Sequence, residues 1–172
     1  ATVSKGAVFA LVLRLFSIID VHGRGAEFHI FTVIAVASMF TGNLLALLQS
    51  NVKRILAYST LSQLGYMIMA IGLAAPGAAM FHLFTHASFK ALLFLGAGAV
   101  LHSTHTRNME EMGGLIKRMP KTAFCFLIGA VAISALPPLN GFVSEWLTYQ
   151  SLLQGFGTTS SLVRLMFPLS GA

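Results

Sequence analysis

Four stretches of about 20 residues or more, at roughly 2–20, 30–49, 54–74 and 78–103, are predominantly apolar. That is the length an α-helix needs to cross a hydrocarbon core about 30 Å thick. Lipid offers the backbone no hydrogen-bond partners, and a helix satisfies its own N–H and C=O groups within one segment. Such runs predict an all-α integral membrane fold. Composition agrees: 56% of the 172 residues are hydrophobic and 9% charged, with a mean hydropathy of +0.80. A soluble domain covers its surface with about 25% charged residues.

A fifth apolar stretch, roughly 122–155, is too long for one crossing. As a single helix it would rise about 50 Å. ALPPLNG interrupts it at residues 135–141, so Pro137, Pro138 and Gly141 are expected to break the helix. Proline removes N–H donors and opens the ladder, and in lipid the freed groups need protein or a water-lined cavity. One broken helix is favoured over two short separate segments. The whole chain reads as one transmembrane domain. It starts without methionine on an apolar run and ends as another begins, as an internal piece of a larger membrane protein would.

Polar joints lie at Asp20 to His29, at Gln49 to Arg54 and around Pro76. Counting sides alternately, one side receives Lys53, Arg54, Arg107, Lys117, Arg118 and Lys121, and the other only Arg24. The positive-inside bias puts the first group, and the 104–121 loop, on the cytoplasmic face. The excess of 11 Lys+Arg over 5 Asp+Glu is therefore a matter of topology, and no nucleic-acid partner is expected. Cys125 stands alone in an apolar run, which excludes a cysteine metal cluster or disulfide framework.

Lys5, His82, His86, Lys90 and Glu145 fall inside the expected spans. A charge at the centre of a membrane helix costs about 2.5 kcal/mol or more, and such residues mark ion paths by default. Residues four apart differ by about 40° in azimuth, so His82, His86 and Lys90 form one stripe. Histidine takes and gives protons near neutral pH, and a desolvated lysine can also exchange one. The bland alternative is a stripe that only hydrogen-bonds neighbouring helices. HxxxH is metal-ligand spacing, but the glutamate of HExxH is missing and a cation follows one turn later. Haem ligation wants a histidine at matched depth on another span; His22, His29, His102 and His105 sit at span ends or in loops.

Glu145 follows the break, beside Trp146. It reads either as an acid at a half-helix start or as an interfacial residue next to an aromatic anchor. Lys5 could lie at mid-membrane or at a span end. Ser59, Ser62, Gln63 and Tyr66 share a helical face and are expected chiefly to bond a neighbouring helix.

Four motifs in order carry a family likeness: NVKRILAYSTLSQLGYM (51–67), FHLFTHASFKALLFLGAGAV (81–100), RNMEEMGGLIKRMP (107–120) and ALPPLNGFVSEW (135–146). They resemble the antiporter-like, proton-pumping membrane subunits of respiratory complex I. The same family includes subunits of membrane-bound hydrogenases, of the hydrogenase-4 and formate hydrogenlyase type, and of Mrp antiporters. The likeness covers most of residues 1–160. It implies a bundle of about fourteen helices with two inverted repeats, each containing a broken helix. Lys5 would be the central lysine, His82, His86 and Lys90 the relay, and Glu145 the terminal exchange group. Lys53, Ser59 and Gln63 would be entrance or supporting residues. The family's glutamate–lysine pair from the first repeat lies upstream of Ala1.

The resemblance implies a proton-translocating subunit of a redox-driven complex. Its alternatives are a Na⁺(K⁺)/H⁺ antiporter subunit of Mrp type and a non-transporting membrane scaffold. No cofactor is expected in this chain; NADH, quinone, Fe–S or NiFe centres would belong to partner subunits. The expected surroundings are other membrane subunits, a peripheral redox arm and the lipid bilayer, in a bacterial or archaeal inner membrane.

Overall fold

The computed structural model describes residues 26–73 and 75–155, with isolated helical positions at 6, 10 and 14. Lys5 and nearly all of the expected first span lie outside the described residues. Within them the chain is helical, with a single isolated bridge between Asn51 and Asn108 and no strand.

Among the described residues three helices are long and apolar enough to cross a membrane: α1 (Ala26–Leu47), α2 (Val52–Gly72) and α3 (Pro76–Thr104). Their limits have local causes. Asn51 adopts extended backbone and accepts from Lys53 N–H at 3.0 Å, capping α2. Pro76 opens α3 at a position that has no N–H to lose. His105 ends α3 in the left-handed conformation (φ 57°), its N–H returning to Leu101 O at 2.9 Å.

Beyond a connector containing α4 (Leu115–Arg118) come α5 (Pro120–Ile133) and α6 (Asn140–Gly155). With 14 and 16 residues they rise roughly 21 and 24 Å, each short of the hydrocarbon core. They are the halves of the broken segment. Ala135 turns into positive φ (50°) and the Pro137–Pro138 peptide is cis. The freed backbone is still served: Ser134 and Ala135 N–H bond Ala130 and Ala132 carbonyls at 3.1 and 3.3 Å. Gly141 lies in the first turn of α6 rather than in the break. A Cβ there would collide with the Ala132 carbonyl oxygen, so its role is to let α6 cross tightly over the end of α5.

The helices pack through small residues, as membrane helices must when lipid competes equally for apolar contact. A Cβ at Gly42 would sit 2.9 Å from Ser62 N, and one at Gly65 2.6 Å from Ala35 O. The α1 and α2 backbones meet there, around Ala35, Met39, Tyr66 and Met69. α3 lies between α2 and the α5–α6 pair and contacts all three. Ile30, Ile34, Phe84, Leu95 and Phe124 point outward, where a membrane protein presents its apolar surface.

The connector is clipped to the α1–α2 turn. Val52 N–H bonds Arg107 O at 3.3 Å, Met109 N–H bonds Ser50 O at 3.0 Å, and Ser50 Oγ donates to Glu110 at 3.2 Å. Thr106 Oγ1 and Asn108 Nδ2 donate to the Glu111 carboxylate at 2.8 and 3.1 Å and hold its pKa below the ordinary value. A lowered folded-state pKa means the carboxylate stabilises the loop above the unfolded value, a contribution lost as pH falls through the lowered one.

Two predictions follow from these contacts. Gly65→Ala should destabilise the protein by about 1–3 kcal/mol, because the obstacles are backbone atoms that cannot rotate away; an unchanged unfolding midpoint in detergent would refute the close approach. Thr106→Val should raise the Glu111 titration midpoint, read by NMR of the carboxyl carbon.

Candidate functional site

The stripe faces inward. His82 and His86 are 0% exposed and Lys90 2%, which makes them among the most enclosed large side chains in the described residues. They succeed one another along α3, with the two imidazole centroids 5.9 Å apart. Phe89 meets the His86 ring edge-on at 5.0 Å and Tyr66 tilts against His82 at the same distance.

Each end of the stripe is held from another helix. Lys90 Nζ donates to Leu56 O at 3.0 Å and to Ser59 Oγ, both on α2. Among the described residues it forms no ion pair; neutral oxygens alone meet the buried amine. His82 Nε2 lies 2.7 Å from Gln63 Oε1 of α2, and Nδ1 lies 3.0 Å from Ser144 Oγ of α6. Ser144 Oγ also receives Thr85 Oγ1 at 3.1 Å and can donate to Gly141 O at 2.9 Å.

These contacts suit two protonation states of His82. The Gln63 oxygen only accepts, so Nε2 carries hydrogen in both. When the ring is neutral, Nδ1 accepts from the Ser144 hydroxyl. When it is protonated, Nδ1–H donates to Ser144 Oγ and the hydroxyl hydrogen turns to Gly141 O. One hydroxyl rotation thus absorbs the gain of a proton, with no buried polar atom left unsatisfied.

Glu145 is half-buried on α6. Its backbone carbonyl accepts from Tyr66 Oη at 3.2 Å. Tyr66, whose ring tilts against His82, therefore connects that histidine to the Glu145 backbone. An amide gives and takes hydrogen bonds without changing its proton count, so Gln63 orients the His82 ring. Trp146 turns outward and stacks on Phe142 at 6.2 Å. Pro137 and Pro138 sit in the bend that brings α6 back to α3. Lys53 bonds no member of the stripe and lines a separate cavity.

Sequence reasoning placed Ser59 and Gln63 on a helix-bonding face; the structure brings both onto the stripe. Thr85, Ser144 and Thr148, all buried beside the stripe's helices, are not among the sequence's candidate residues. Ser144 and Thr148 are four residues apart on α6, so helical spacing from Glu145 could have revealed the face they share. Among the described residues no three His, Cys, Asp or Glu side chains converge as metal ligands would.

A helical bundle with apolar outer surfaces, a broken segment and an internal row of ionisable groups defines an integral membrane protein. The profile of the family described as NADH:quinone oxidoreductase/Mrp antiporter, TM, matches residues 1–167, and the chain belongs to that family. It is 45% identical over 151 residues to hydrogenase-4 component B of Escherichia coli (strain K12), covering 80% of this chain and 22% of that protein. It is 42% identical over 144 residues to NADH-quinone oxidoreductase subunit L of Rickettsia typhi, again covering 80% of this chain and 22% of the relative. Its fold is similar to a chain in the Mrp complex from a Dietzia species, with a TM-score of 0.75 at 27% identity, covering 83% of this chain and 27% of the other. The chain thus spans about a fifth of the length of these curated relatives.

Gln63→Leu should leave His82 Nε2 without its acceptor and cost roughly 1–3 kcal/mol of stability. The check is thermal unfolding in detergent, and a wild-type midpoint would mean that the bond is not made.

Proposed function

We propose that this chain forms part of a proton path in a membrane subunit of a redox-driven complex, of the NADH:quinone oxidoreductase or membrane-bound hydrogenase type. The observation that carries the reading is the hydrogen-bonding of His82, which suits both the neutral and the protonated ring at a position closed to solvent. In this path His82, His86 and Lys90 relay the proton, and Glu145 exchanges it at the end beside the broken helix. Gln63 and Ser144 orient His82, and Ser59 holds Lys90. Lys5, from the family resemblance, is the midpoint that continues the row.

The driving reaction belongs to partner subunits, where NADH, quinone, Fe–S or NiFe centres would reside, and the complex would sit in a bacterial or archaeal inner membrane. The basic loop at 104–121 faces the cytoplasm. Family membership and the relatives' subunit names support this reading.

The likeness to the Mrp complex supports a second reading, a Na⁺(K⁺)/H⁺ antiporter subunit that needs no electron donor. In the native full-length complex, Lys90→Ala should cut proton translocation by about 100-fold or more while assembly persists. Wild-type pumping in an assembled complex would leave the stripe as scaffold only. Transport that requires sodium without any electron donor would decide for the antiporter.

A further inference from the structure

The relay leaves two adjoining cavities unused. One, of about 400 Å³, runs between the ends of α2 and α3, the connector and α5. Its wall is apolar along Ala97 and Val100 of α3 and Phe126 and Ala130 of α5, with Lys53 and Arg107 at the loop end. Between Thr122 and Ala130 it follows α5 for roughly 12 Å of rise, so it is elongated along the helices. The second, a polar crevice of about 420 Å³, is lined by Ser50, Asn51, His105, Thr106, Arg107 and Asn108. Thr106 and Arg107 belong to both.

An apolar slot with two cations at its loop end, beside a crevice lined by polar residues that shares Thr106 and Arg107 with it, has the division of a lipid: tail inside, charged head at the loop. Lys53 and Arg107 form no ion pair in the described residues. The nearby acids are already engaged, Glu110 by Ser50 and Glu111 by Thr106 and Asn108, and neither lines either of these two cavities. The slot lies where basic residues gather, at the level where headgroups meet a membrane protein.

We propose that the paired cavities bind one glycerophospholipid, with an acyl chain between α3 and α5 and its phosphate held by Arg107 and Lys53. None of the residues lining the two cavities hydrogen-bonds His82, His86 or Lys90 among the described residues. An arginine offers the phosphate a bidentate fork and the lysine adds a second charge.

The test uses the native full-length protein in membranes and a phosphatidylglycerol carrying a photoreactive group on its acyl chain. Crosslinks should fall on residues 94–104 and 120–133. A Lys53→Gln/Arg107→Gln double variant should lose labelling by about tenfold. Ala130→Phe, which fills the slot and leaves both cations in place, should lose it to a similar extent. Lys121→Gln, outside the lining, should label as wild type. Equal labelling of the double variant and wild type would overturn the proposal. So would a diacylglycerol probe with the same chains labelling as strongly, or no label on these segments because the protein's own chain occupies the slot.

Discussion

Three polar side chains inside α3 hold the described structure to one arrangement. His82, His86 and Lys90 are closed off from solvent, and in a membrane the only alternative to protein contacts is hydrocarbon. α2 and α6 must therefore bring oxygen atoms to them. Leu56 O and the Ser59 hydroxyl meet the amine; Gln63 and Ser144 meet the two nitrogens of His82. Moving either helix by half a turn would leave at least one of these groups unpaired in a low dielectric, a penalty several times the net worth of an ordinary hydrogen bond.

The broken segment follows from that demand. A straight helix from Pro120 to Gly155 would carry Ser144 past the level of His82. The bend at 134–139 instead returns the chain over the end of α5, with Gly141 removing the side chain that would block the crossing. The break therefore delivers two hydroxyls, Ser144 and Thr148, and one acid, Glu145, to the inner side of the bundle. The same packing lets small residues at Gly42 and Gly65 bring α1 against α2, which fixes the helix that carries Ser59 and Gln63.

The polar interior and the apolar slot use different ends of the same helices. α2 turns Ser59, Gln63 and Tyr66 toward the stripe, while Lys53, at its start, faces the connector and the slot. α3 likewise gives His82 to Lys90 to the interior and Ala97 to Leu101 to the slot. A surface against lipid and a hydrogen-bonded interior coexist because the polar groups on each helix are answered either by another helix or, as at Thr41 and Ser88, by the same helix's carbonyls.

Local runs and helical spacing were enough to determine that the described residues are mostly apolar helix, that His82, His86 and Lys90 share one side, and that the chain breaks near Pro137 and Pro138. These depend on residue type and on a period of 3.6, both legible along a single chain. Tertiary structure alone decided which oxygens meet the stripe. The pairs His82–Ser144 and Lys90–Ser59 lie 62 and 31 residues apart, and their meeting depends on how three helices cross. It also decided that Gly141 serves a close crossing instead of the break itself. Serine and glutamine on an apolar helix announce only that they need a partner, and the partner is named by packing.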